Sequence, residues 1–119
     1  MKLLRSVAAV VLGYIVFAMS AVLLFQVLHA DPHAPQSLAF MTGTAVYGIA
    51  FAFLGGLLAA RVAPGWPVQH AGLVCLVIAA GAIASLLASP AGDATWSQWT
   101  ALLVMAPSAA LAPLVTRIR

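Results

Sequence analysis

The sequence predicts an all-α integral membrane protein, a four-transmembrane-helix bundle of two antiparallel hairpins with both termini on the cytoplasmic side. Three observations carry this. The chain of 119 residues is 65% hydrophobic and only 6% charged, whereas soluble domains carry roughly 25% charged residues. Its seven charges, Lys2, Arg5, Asp31, Arg61, Asp93, Arg117 and Arg119, leave four charge-free stretches at 6–30, 32–60, 62–92 and 94–116. Each exceeds the roughly 20 apolar residues that cross a hydrocarbon core of about 30 Å. The basic residues fall only at the two ends and in the middle loop, and that alternation sets orientation because basic short loops stay in the cytoplasm.

The expected spans, within one transmembrane domain over 1–119, are 3–28, 37–60, 71–88 and 99–115. Helices are the required form, since lipid offers no partners to backbone N–H and C=O groups; barrel strands would alternate apolar and polar residues. The first span follows Lys2 and Arg5, yet its apolar run Val7–Phe25 exceeds the about 7–15 residues of a signal peptide, so it reads as a retained helix. Ser37 and Thr95 are positioned as N-caps of the second and fourth helices, where a side-chain oxygen satisfies free N–H groups. Pro64-Gly65-Trp66-Pro67 and the proline-containing segments at 31–35 and 89–93 are turn chemistry. Pro107 and Pro113 interrupt the fourth helix and predict a kink there. Trp66 suits one interfacial belt, Trp96 and Trp99 the other.

Within the spans the clearest pattern is Gly48, Ala52, Gly56 and Ala60 along one face of the second helix. Lipid solvates large apolar side chains as well as protein does, so helices associate where small residues let backbones approach. The third helix carries two such rows, Ala80, Ala84, Ala88 and Gly81, Ser85, Ser89; the first carries Ala9 and Gly13. Tyr14, Tyr47 and Ser108 fall near the middle of their spans, where a hydroxyl calls for a hydrogen-bond partner or lines a polar path.

Candidate chemistry is sparse. His29, Asp31 and His33 are the candidate metal ligands, spaced so that an extended segment turns all three the same way. A lone Cys75 excludes a disulfide framework. The absence of glutamate and asparagine, with both aspartates in loops, argues against proton- or cation-coupled transport, which places an ionisable group within the membrane. In length and span count the chain is similar to small multidrug transporters and fluoride channels, but the membrane glutamate of the former and the asparagine signature of the latter have no counterpart. No catalytic set, cofactor motif or nucleic-acid-binding patch is present in the sequence, so neither an enzyme nor a cofactor is expected.

The expected function is therefore non-enzymatic: an accessory or assembly subunit packing in the lipid bilayer against other membrane-protein subunits or copies of itself. The alternative is a homo-oligomeric channel or transporter for a neutral or lipophilic solute, lined by Tyr14, Tyr47 and Ser108. The expected location is the bacterial plasma (inner) membrane.

Overall fold

A computed structural model of the protein describes residues 2–30, 36–89 and 95–116. Among them every regular element is helical: α1 (Lys2–Val27), α2 (Leu38–Val62), α3 (Pro67–Ala88), α4 (Trp96–Thr100), a π-helical turn (Ala101–Met105) and α5 (Ala106–Thr116). The last three run on as one segment, giving four helices long and apolar enough to cross a membrane. The molecule measures 45 × 26 × 23 Å, and its long axis matches the about 40–45 Å of a bilayer with its headgroups.

Local chemistry explains where these helices begin and end. Ser37 caps α2, its hydroxyl accepting from the Phe40 N–H at 3.1 Å. The other expected cap does not form: Thr95 stands before α4 with no side-chain bond to the helix. There the helix opens instead with Trp96, whose carbonyl accepts from the Thr100 hydroxyl at 2.7 Å. α3 begins at Pro67, four residues ahead of the expected 71, because a proline at the first helical position gives up an N–H that would be unpaired anyway. The preceding Trp66 is forced from the right-handed helical region by that proline and takes a left-handed conformation, φ 56° and ψ 57°. α1 closes in a Schellman turn, with His29 left-handed (φ 52°) and the Ala30 N–H reaching back to the Phe25 carbonyl at 3.0 Å.

The fourth span departs from the expected simple kink. Pro107 cannot donate to the Leu103 carbonyl, and in an α-helix its ring would collide with it. The chain widens by one turn just before that point, the Ala106 N–H bonding to the Ala101 carbonyl five residues back. Pro113 is carried inside α5.

Packing is that of a molecule whose solvent is apolar. Leu3, Leu38, Leu76, Leu87 and Leu103 face outward, while the fully buried residues are mostly alanines, with Val74 the largest of them. Small residues draw the helices together, since dispersion contacts between close backbones are what lipid cannot replace. Gly13 of α1 and Gly55 of α2 meet backbone to backbone, Gly56 sits on the Ala109 carbonyl of α5, and Gly48 lies under the Met105 side chain. α2 thus has two small faces: Gly55 turns to α1, and Gly48 and Gly56 to the fourth span. Ala52 and Ala60 of the same row are buried. At one end of the molecule Arg5 donates to the Val62 carbonyl at 2.7 Å, satisfying an acceptor that α2 leaves open at its end.

Candidate functional site

The tight contacts at Gly13, Gly55, Gly56 and Ala109 lie at one level, and further along the bundle the side chains grow. Phe17, Phe25, Tyr47 and Trp96 replace glycine and alanine between the helices. Large rings hold backbones apart where small residues draw them in. Among the described residues α1 makes no close backbone approach to α4, the π turn or α5, although α2 and α3 do. The result is a cavity of about 470 Å³ between α1, α2, α3 and the start of the fourth span, inside the roughly 300–1,000 Å³ range of small-molecule sites.

Its walls are mainly apolar. At one end Phe25, Phe40 and Trp96 form a cluster with ring centroids 6.1–6.4 Å apart, the separations at which tilted and edge-to-face rings attract. Tyr47 packs its ring on Phe51 at 4.7 Å.

Polar groups enter from two sides. From α1 and α2 come Tyr14, Ser20, Gln26, Thr44 and Tyr47. Tyr47 donates to the Ser20 carbonyl at 3.0 Å, and the Ser20 hydroxyl to the Phe17 carbonyl at 2.6 Å. Tyr14 reaches across to α3, where Gly81 leaves space: a Cβ at that position would stand 3.6 Å from the phenol oxygen. Thr44 is buried. From α3 and α4 come Ser85, Ser97 and Gln98. The Gln98 amide nitrogen donates to the hydroxyls of Ser85 (3.2 Å) and Ser89 (3.1 Å), and its oxygen accepts from Ser97 at 3.1 Å. This knot fixes α4 against α3. Among the described residues no carboxylate, amine, guanidinium, imidazole or thiol lines the cavity.

The expected site residues are thus redistributed. Tyr14 and Tyr47 share the cavity; Ser108 does not join them, because its hydroxyl turns back to the Val104 carbonyl at 2.8 Å. Gly81 and Ser85, first read as helix-packing positions, line the cavity together with Gly48. Ala80, Ala84 and Ala88 face outward. His29 is exposed and terminates α1, while Asp31 and His33 lie outside the described residues; among those described, no group of three potential ligands gathers.

Sequence reading missed Thr44, Ser20 and Gln98. Gln98 was legible as an amide beside an apolar span, but starting the fourth helix at 99 put it in the loop. His70 is also buried, at the opposite end. Its Nδ1 lies 2.9 Å from the Trp66 carbonyl, which makes Nδ1 the donor and leaves Nε2 an acceptor, buried and without a partner among the described residues.

Fold and cavity together define a class, an all-helical protein with four helices long and apolar enough to cross a membrane and a pocket between them. Comparison adds no family to that class: no family model, no curated protein and no solved structure matches the chain.

Proposed function

We propose that the chain is a non-enzymatic integral membrane protein that holds a neutral, lipophilic small molecule within the bilayer, as a binding or transport site. The observation that supports this most directly is the 470 Å³ cavity walled by aromatic rings and lined, among the described residues, by no acid or base. A charged ligand would be left unpaired there, at a cost of several kcal/mol; an uncharged one loses nothing of the kind. We read the bundle as two antiparallel hairpins with both termini cytoplasmic in a bacterial inner membrane. Arg5 against Val62 supports that orientation, since it brings the basic start of α1 to the end of α2 that carries Arg61.

The test is native mass spectrometry of the protein released from lipid nanodiscs after incubation with uncharged lipophiles. A one-to-one adduct is expected, lost in Ala21→Trp, which fills the cavity from α1. No adduct, or an adduct that Ala21→Trp leaves untouched, refutes the reading.

One observation favours the second reading, an assembly subunit. The row Ala80, Ala84 and Ala88 faces outward on α3, whereas the small faces of α2 are used within the chain. A small row against lipid gains nothing unless another helix packs on it, and that helix belongs to a partner subunit or a second copy. Extraction in a mild detergent tests this by mass: a fixed complex dissociated by Ala84→Phe is the expected result, and a monomer under all conditions refutes it.

A further inference from the structure

We propose that the cavity selects an uncharged ring lipid bearing carbonyl oxygens, the chemistry of a prenylated quinone, and that the hydroxyls of Tyr14 and Thr44 are the donors that recognise it. This rests on the cavity reading above and names its ligand class. The argument begins with hydrogen-bond supply. Several polar groups on the cavity wall are engaged with their neighbours: Tyr47 donates to Ser20, Ser20 to Phe17, and Ser97 to Gln98. Tyr14 and Thr44 differ. Both line the cavity, and among the described residues neither hydroxyl has a hydrogen-bond partner. Thr44 is only 7% exposed, so water outside the bundle has little access to it. Neither oxygen is walled off from the cavity, His70 Nε2 being the buried unpaired side-chain atom found among the described residues; both hydroxyls belong to residues that line the cavity, so a ligand acceptor placed there can pair with them.

A free O–H pairs with an acceptor, and a carbonyl oxygen is an acceptor that brings no donor needing its own partner. Shape narrows the class further. Phe17, Phe25, Tyr47 and Trp96 line the cavity, and aromatic walls favour a flat ring through offset or edge-on stacking. A lipid tail also has a route out. Among the described residues the α1 backbone makes no close approach to the fourth span, so a chain attached to the ring would leave there into lipid, clear of the Phe25–Trp96 contact. Binding alone is inferred.

The experiment uses the whole protein in nanodiscs, with decyl-benzoquinone and its hydrocarbon analogue decylbenzene as probes, and reads stoichiometric adducts by native mass spectrometry. The parent is expected to bind the quinone about tenfold more tightly than the hydrocarbon. Tyr14→Phe and Thr44→Val are each expected to lose about three- to tenfold for the quinone alone, the worth of one neutral hydrogen bond. Ser108→Ala, outside the cavity, is expected to match the parent. Should a variant fail to fold, competition of decylbenzene against decyl-benzoquinone on the parent measures the same preference. Equal binding of the two probes, or a preference that survives loss of both hydroxyls, overturns the proposal and leaves the cavity reading standing. Failure of both probes to bind overturns the two together.

Discussion

Adding a single methyl group at Gly56 tests the packing most directly. A Cβ on Gly56 would stand 2.7 Å from the carbonyl carbon of Ala109 and 2.9 Å from its Cα, with the carbonyl oxygen closer still. Ordinary contact begins at 3.4 Å, so α2 and α5 must part by at least ~0.7 Å, measured from the carbon alone. The obstacle is backbone and cannot rotate away. Parting two helices by that much forfeits roughly a third of each dispersion contact of about 0.1–0.2 kcal/mol, and over roughly 40 atom pairs the loss is about 2 kcal/mol. Overpacking costs of about 1–3 kcal/mol agree with that figure. At Gly48 the obstacle is the flexible end of Met105, so Gly48→Ala should cost about 1 kcal/mol, the low end of the same range. At Gly72 nothing lies within 4 Å, and replacing a helical glycine by alanine there should stabilise by about 0.5–1 kcal/mol. Unfolding in mixed micelles by SDS titration, followed by circular dichroism, gives the three free energies. If Gly56→Ala proves as stable as Gly72→Ala, the close approach of α2 and α5 is wrong.

Three further outcomes are expected. In a Cys75→Ser background, a membrane-impermeant thiol reagent applied to intact cells should label Ala94→Cys and spare Gly65→Cys, as the basic residues require; the opposite pattern reverses the orientation. Gln98→Leu removes two bonds from α4 to Ser85 and Ser89, and at about 0.6 kcal/mol per interhelical bond in a membrane it should lower stability by about 1 kcal/mol; no change in the SDS midpoint would remove the knot from the account of α4. His70→Leu gives up the bond from Nδ1 to Trp66, worth about 0.5–1.5 kcal/mol, and also relieves the buried Nε2, which costs about 1–3 kcal/mol unpaired. Stability should therefore hold or rise, and a loss above about 2 kcal/mol would mean that Nε2 has a partner.

The sequence by itself determined the four helices and their approximate ends. Affinity for lipid is a property of each residue, and a run of about 20 apolar residues needs no knowledge of its neighbours. On α2 it also picked out Gly48 and Gly56, which meet the fourth span closely, because small residues let helices approach; the small rows of α3 make no such contact among the described residues, Ala80, Ala84 and Ala88 facing outward and Gly81 and Ser85 lining the cavity. Turn chemistry was legible at 64–67, but the start of α3 at Pro67 and the left-handed conformation of Trp66 were not.

The tertiary structure decided which helix each small residue meets. Gly55 and Gly56 are adjacent in the chain, yet one turns to Gly13 and the other to Ala109, because neighbours on a helix point about 100° apart, toward different partners. A single row read at spacing four kept Gly56 and missed Gly55. Structure also decided that Tyr14 and Tyr47 share a cavity while Ser108 turns away. Depth in a span follows from counting along one helix. Direction around it depends on how four helices pack, and the cavity arises where their rings hold them apart.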